Sequence, residues 1–206
     1  MVDFDQLAAT RTTLLDLRRE LNEAREGRSI LERKREVLLR ELWGLLQQAK
    51  QTEQDVRACF SRAYAAQKEA RLLMGMEAMR FAGLAPAAET DCSVDLRSIM
   101  GVALPLVSMN ITPLPMSYSP AGISAAFDEL RIKWIEAGRT LGPWIETIGS
   151  IWRVAEELER TQRRVNVLDH VLIPKYQSAI GRIQAALEEQ ERESFLRTKR
   201  MKERKR

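Results

Sequence analysis

Cysteine and histidine are scarce in this chain of 206 residues, which contains two cysteines and one histidine. Cys59 and Cys92 do not form a C-x-x-C pair, so a zinc site lacks ligands and a disulfide scaffold is excluded. Glycine-rich phosphate-binding loops are also missing. Acidic pairs such as Glu156 with Glu157 are typical of a solvated helix surface rather than a cleft. We therefore predict no catalytic, metal-binding or cofactor-binding site, and expect a protein that is not an enzyme.

Long apolar runs are missing as well. The longest one, residues 99–107, contains a glycine and a proline and is too short to cross a bilayer. The first residues include Asp3 and Asp5 and no apolar stretch, which is unlike a secretory signal. We expect a cytoplasmic protein that does not insert into a membrane directly.

Glycine and proline are few, with ten glycines and seven prolines. Five of the prolines fall between Pro86 and Pro120, and none precedes Pro86. Because residues that break helices are concentrated in one window, the segments on either side can form long helices.

The first of these segments has a coiled-coil pattern. From Leu14 to Leu73, apolar residues recur at alternating spacings of three and four, with Arg28, Arg35 and Thr52 as the exceptions. Such a sustained heptad pattern predicts a coiled-coil helix over about residues 10–80. The candidate capping and terminating residues are Thr10, Thr12, Thr13, Gly75 and Gly83.

The second segment repeats the pattern from Phe127 to Ala186, with Gln162 and Asp169 as the exceptions. It predicts a helix over about residues 122–200. Gly138, Gly142 and Pro143 predict a break or kink near residue 142, and Pro174 predicts a bend.

The segment between the helices, about residues 85–120, has β-strand features. Val94 and Leu96 alternate with charged residues, which indicates a strand with one solvent-facing side, and residues 102–111 are rich in apolar residues. Gly101 separates the two stretches, and Pro113, Pro115 and Pro120 bound the second. We predict a small hairpin or compact loop.

The polar exceptions in the two helices predict how the helices pair. In an antiparallel pair, the numbers of facing residues sum to a constant, and both Arg28 with Asp169 and Arg35 with Gln162 give the same sum. Buried polar pairs of this kind set the register of coiled coils. We predict one elongated unit over residues 1–206, in the mainly α class, with a long antiparallel two-helix coiled coil and a small central β-hairpin or loop region.

The basic charge of the chain is confined to its end. The net charge is +4, but residues 197–206 hold seven basic residues and one acid. The rest of the chain is therefore slightly acidic. We predict a solvated basic tail at residues 201–206, with an electrostatic contact to an acidic partner as the alternative, and expect no binding to nucleic acid.

Both helix ends carry a family resemblance. The segment from Thr10 and Arg11 through residues 17–42 resembles the opening of the D subunit of the V/A-type rotary ATPases. Residues 160–202 resemble the C-terminal helix of that family, including the runs at 163–166, 173–174 and 191–193. The chain has Ala9 where the family usually has proline, and Glu36 where it often has aspartate.

The resemblance implies a non-catalytic central rotor shaft that couples ATP hydrolysis or synthesis to ion translocation. Its implied partners are the hexamer of catalytic A and nucleotide-binding B subunits, the subunit that caps the membrane ring, and the small F subunit. The chain would then be peripheral to the membrane, attached through the complex. Residues expected to contact the hexamer are Arg11, Arg18, Arg163, Arg164, Asn166, Arg197, Lys199 and Arg200.

Two other classes share the helix–hairpin–helix plan. A prefoldin-like chaperone holds unfolded proteins on apolar helix tips, whereas the end of this chain is basic. A coiled-coil adaptor for nucleic acid would bind in a salt-sensitive manner, which the acidic body of the chain disfavours.

Overall fold

The structure is a computed structural model that describes residues 8–84, 88–115 and 124–204, with side chains as far as residue 201. The chain is mainly helical, with one small antiparallel sheet, which confirms the predicted fold class. The elements are helix α1 (Arg11–Ala82), strands β1 (Ala88–Ile99) and β2 (Val102–Pro113), helix α2 (Ala125–Val167), a π-helical turn (Leu168–Leu172) and helix α3 (Ile173–Arg204).

The ends of α1 depend on the residues that the sequence indicates. The Thr13 backbone N–H donates to the Thr10 hydroxyl at 3.1 Å, so Thr10 caps the helix. Gly75 forms a kink inside α1, seven residues before the helix ends. Its φ of 80° is a left-handed value that favours glycine. The helix ends at Ala82, immediately before Gly83.

The chain divides into two compact units. The terminal unit comprises Met1–Val37 and Leu158–Arg206, and the central unit comprises Leu38–Glu157. The single elongated unit predicted from the sequence stays a prediction. The predicted tail at 201–206 belongs to α3 as far as Arg204, and Lys205 and Arg206 lie outside the described residues.

The terminal unit has a core formed by α1 and α3. Its buried residues are Leu17, Leu21, Ile173, Ala179, Ile180 and Ile183. Leu14, Tyr176 and Leu187 pack at its margin. The pattern of apolar residues in both helices therefore produces one shared hydrophobic seam.

The central unit has a core between α1 and α2. Ala70 and Ala82 pack with Phe127 and Leu130. Nearby, the Trp134 ring makes edge-to-face contacts with Phe60 and Tyr64, at centroid separations of 5.7 and 5.3 Å. These contacts pair α1 with α2 in an antiparallel sense, because rising numbers on one helix meet falling numbers on the other.

The hairpin lies in the central unit. Strands β1 and β2 pair along their full length, from Ala88 with Pro113 to Ile99 with Val102. Met100 and Gly101 form the connection, both at positive φ, as a two-residue type I′ turn requires. Pro120, predicted to bound this region, lies outside the described residues.

Strand β1 differs from its prediction. The alternation around Val94 predicts one solvent-facing side, but both faces of β1 are exposed from Glu89 to Ser98. The apolar residues Val102, Leu104 and Ile111, by contrast, are buried in β2. The reason is that α2 packs along β2, so the side chains of β1 extend beyond it.

The break predicted near residue 142 does not occur, because α2 continues through Gly142 and Pro143. The glycines at this point leave room for β2 to pack against the helix. A Cβ atom on Gly138 would lie 2.6 Å from Ile111 Cδ1, and one on Gly142 would lie 3.2 Å from Met109 Cβ. These glycines therefore allow close packing of a strand on the helix, and they do not terminate it.

The π-helical turn precedes Pro174. Ile173 donates its backbone N–H to the Leu168 carbonyl, five residues earlier. Pro174 has no N–H to donate to the His170 carbonyl, so the α-helical pattern loses one hydrogen bond here in any case. A wider turn at this point therefore costs little more. The bend predicted near Pro174 stays a prediction, although a π turn is a recognised position for one.

Candidate interaction surface in the terminal unit

Arg28 and Asp169 contact each other across the two helices of the terminal unit. Arg28 Nε lies 2.7 Å from Asp169 Oδ1, and Arg28 Nη2 donates to Glu32 Oε1 at 3.0 Å. The Nε–H is buried but is not aligned for a hydrogen bond, so the contact with Asp169 is primarily electrostatic. Since these side chains are 40% and 26% exposed, water screens the pair only in part.

Arg35 and Gln162 form the second polar contact between the helices. Arg35 Nη1 donates to Gln162 Oε1 at 3.1 Å. The Gln162 amide in turn donates to Asn166 Oδ1 at 2.8 Å. Arg28 and Arg35 are seven residues apart, as are Gln162 and Asp169, so the two contacts occupy successive heptads of one register.

A third contact lies near the ends of the helices. Arg11 Nη2 donates to Glu191 Oε1 at 2.6 Å, with both side chains well exposed to solvent. Exposed ion pairs contribute at most about 1 kcal/mol. This pair also joins α1 to α3, but its residue numbers sum to 202 instead of 197, so the two long side chains meet outside the register of the other two contacts. Most of the stability of the unit comes from the apolar seam.

The eight cationic or amide residues expected to contact a partner divide into two groups. Four are engaged within the chain: Arg11 with Glu191, Arg163 with Glu159, Arg197 with Glu193, and Asn166 with Gln162. The other four have exposed side chains with no ion pair among the described residues, and they are Arg18, Arg164, Lys199 and Arg200.

Tyr176 makes a polar contact that the spacing of apolar residues does not reveal, because its ring fits the apolar seam. Burial raises the pKa of its hydroxyl above the usual 10.0, and the negative charge of Glu20 raises this pKa further. The hydroxyl also hydrogen-bonds the Glu20 side chain. At neutral pH the hydroxyl is therefore protonated and donates to Glu20 across the helix pair.

Neutralising Arg28 should destabilise the protein more than neutralising Asp169. Arg28→Gln leaves two carboxylates, Asp169 and Glu32, without their cation, and should lower the free energy of unfolding by about 1 kcal/mol. Asp169→Asn leaves Arg28 paired with Glu32 and should cost about half as much. Urea unfolding followed by circular dichroism measures both.

Arg19→Gln is the matched control for this pair of variants. Arg19 also pairs with an acid four residues later, Glu23, but both side chains are largely exposed. Its loss should change the free energy of unfolding by about 0.3 kcal/mol. An Arg28→Gln variant as stable as Arg19→Gln would show that the Arg28 contacts add nothing to the helix pair.

Across the three described ranges, no helix has an apolar stretch long enough to span a membrane.

In each unit α1 packs antiparallel against the C-terminal half of the chain, and polar contacts join the helices of the terminal unit. With the small hairpin, these features define an antiparallel coiled-coil protein of the helix–hairpin–helix class. Residues 13–203 match the family model that describes the D subunit of ATP synthase. The chain therefore belongs to the family of ATP synthase D subunits, as its sequence resemblance implies.

Relatives in bacteria and archaea support this membership. The chain is 32% identical over 198 residues to the V-type ATP synthase D subunit of Thermotoga neapolitana, covering 96% of this chain and 97% of the relative. It is 33% identical over 198 residues to the A-type ATP synthase D subunit of Methanosphaera stadtmanae, covering 95% and 92%. The corresponding protein of Methanobrevibacter smithii is 32% identical over 198 residues, covering 95% and 86%.

Proposed function

We propose that this chain is the non-catalytic central rotor shaft of a V/A-type ATPase or ATP synthase. It couples ATP hydrolysis or synthesis in a hexamer of A and B subunits to ion translocation by rotating within that hexamer. The observation that carries the proposal is the pair of polar contacts, Arg28 with Asp169 and Arg35 with Gln162, in successive heptads of the terminal unit.

A shaft that transmits torque must resist sliding of one helix along the other. An apolar seam alone resists sliding weakly, because after a shift of one heptad apolar side chains again pack against apolar side chains. A slip by one heptad moves Arg28 away from Asp169 and sets a charged side chain against apolar neighbours, which costs free energy. The two contacts therefore support a role in which the helices move as one body.

The proposed partners follow from this role. The terminal unit contacts the collar of A and B subunits. Elsewhere on the chain lie the sites for the subunit that caps the membrane ring and for the small F subunit. The chain is then held at the cytoplasmic side of the membrane through the complex. Rotation changes which catalytic interface the asymmetric shaft contacts, and each contact favours a different nucleotide affinity.

The contact with the collar is proposed to use cationic and apolar side chains together. All eight residues of the predicted set belong to it. The four that form no ion pair with another described side chain are the most available for carboxylates on the collar. Near them on α3, Phe195, Leu196 and Met201 are exposed. Exposed apolar residues are also typical of a chaperone tip, but membership of the ATP synthase family over residues 13–203 favours the shaft.

The test is reconstitution of a hexamer from A and B subunits with variants of this chain. Replacing Arg18, Arg164, Lys199 and Arg200 with alanine should weaken binding to the hexamer about tenfold, because four ion pairs of a few tenths of a kcal/mol are lost. ATP-driven rotation should decline with it, while thermal unfolding of the free chain is unchanged. Sedimentation, single-molecule rotation and calorimetry provide the three measurements.

The matched control replaces Lys50, Arg57, Arg62 and Arg71, which are exposed residues of α1 in the central unit, with alanine. It removes the same charge from a region outside the proposed collar contact. Binding and rotation should match those of the unaltered chain. If the first variant binds and rotates as well as this control, the proposed contact surface is incorrect.

A further inference from the structure

The hairpin has two outer edges, one on β2 and one on β1, and within the described ranges side chains of α2 hydrogen-bond only to the backbone of the first. The Val107 N–H donates to Glu146 Oε2 at 3.0 Å, and Arg139 Nη2 donates to the Ile111 carbonyl at 2.9 Å. Along a strand, the N–H and C=O groups of every second residue point to the same edge. The odd-numbered residues of β2 therefore face α2, and side chains of α2 satisfy this edge.

The register then determines the other edge. Val94 pairs with Val107, and Thr90 pairs with Ile111. Because these β2 residues direct their N–H and C=O groups away from β1, their partners direct theirs away from β2. The even-numbered residues of β1, from Thr90 to Ser98, thus form an outer edge, and no strand in the described ranges pairs with it.

The two faces of β1 beside this edge differ in chemistry. Val94 and Leu96 share a face with Pro105 and Met109 of β2, yet they are 60% and 66% exposed. The opposite face holds three acids and one base, namely Glu89, Asp91, Asp95 and Arg97. A long, open edge with exposed apolar residues is a template for another strand.

We infer that the outer edge of β1 binds an extended segment of another protein by strand addition. The segment alternates apolar residues, which cover Val94 and Leu96, with lysine or arginine, which face Asp91 and Asp95. Backbone hydrogen bonds to the even-numbered residues of β1 provide the affinity, and the two faces provide the specificity.

The first experiment uses a short, fluorescently labelled peptide that alternates valine with lysine, and measures its anisotropy on titration with the full chain. Binding should be saturable and should weaken as salt is added, because the charged face is exposed. A peptide with glutamate in place of lysine should bind about tenfold more weakly, since like charges then face each other across the strands.

Three variants test the position of the segment. Val94→Pro removes an outward N–H but no hydrogen bond between β1 and β2, so binding should fall at least about tenfold while thermal unfolding changes little. Val94→Thr keeps that N–H and should bind within about twofold of the unaltered chain. The double variant Asp91→Lys with Asp95→Lys should reverse the preference and select the glutamate peptide.

The inference is overturned if Val94→Pro binds the lysine peptide as well as Val94→Thr does. Equal binding of the two peptides to the unaltered chain also overturns it. Sedimentation of the chain alone provides a further check. A dimer that Val94→Pro abolishes would assign the edge to a second copy of the chain instead of a basic segment.

Discussion

Replacement of Ile183 by alanine should lower the free energy of unfolding by about 2–5 kcal/mol. Ile183 is 1% exposed and lies in the core of the terminal unit with Leu17, Leu21 and Ile180. The substitution removes apolar contacts and leaves a cavity between two helices. A seam formed by two helices has few neighbouring side chains that can move into such a cavity, so little of the loss is recovered. Urea unfolding measured by circular dichroism gives the difference.

Ile30→Ala is the matched control for this variant. Ile30 lies on α1 in the same unit but is 60% exposed, so its truncation removes little buried surface. We expect a change within about 0.5 kcal/mol, as is usual for surface positions. If both variants lose equal stability, the seam between α1 and α3 does not stabilise the unit.

Replacement of Gly142 by leucine should detach the hairpin from α2 and lower the free energy of unfolding by about 2 kcal/mol. A Cβ atom at this position would lie 3.2 Å from Met109 Cβ, and the rest of a leucine side chain has to extend further into β2. Met109 Cβ is fixed to the backbone, so the strand itself must move. Movement lengthens the hydrogen bonds of Val107 and Ile111 to α2, each worth about 1 kcal/mol.

Gly181→Leu is the control, because no heavy atom lies within 4 Å of the added Cβ. Leucine favours a helix over glycine by up to about 1 kcal/mol, so this variant should be more stable than the unaltered chain. Hydrogen exchange at the Val107 amide separates the two cases: exchange should accelerate in Gly142→Leu and remain slow in Gly181→Leu. Stabilisation by both substitutions would mean that β2 does not pack closely on Gly142.

Much of this architecture could be predicted from the sequence, for a physical reason. A hydrophobic seam repeats with a fixed period in long helices, so the two helical segments are visible in the spacing of apolar residues. A long charged or amide side chain in the seam needs a partner at the same level of the opposite helix, whereas the Thr52 hydroxyl bonds to carbonyls of its own helix. The numbers of Arg28 and Asp169 therefore carried information about contacts between segments far apart in the sequence, and the structure places these side chains together.

Other features could not be predicted, because the same residue type occurs in different structural settings. Gly142 beside Pro143 is typical of a helix break, and only the position of β2 shows that the missing side chain leaves room for a strand. Similarly, Val94 and Leu96 indicate a half-buried strand, whereas the path of α2 along β2 leaves them exposed.

The ion pair between Arg28 and Glu32, by contrast, can be predicted from the sequence, since the two residues are four apart, a spacing typical of ion pairs in helices.

The π-helical turn at Leu168–Leu172 acts as a one-residue insertion in an otherwise α-helical segment. Each residue of an α-helix rotates the side-chain direction by about 100°, so one additional residue changes the angular phase of everything that follows it. Deleting one residue from the turn would restore the ordinary helical phase and rotate Ile180 and Ile183 out of the core they share with Leu17 and Leu21. Pro174 opposes that change, because it supplies no N–H for the restored α-helical turn.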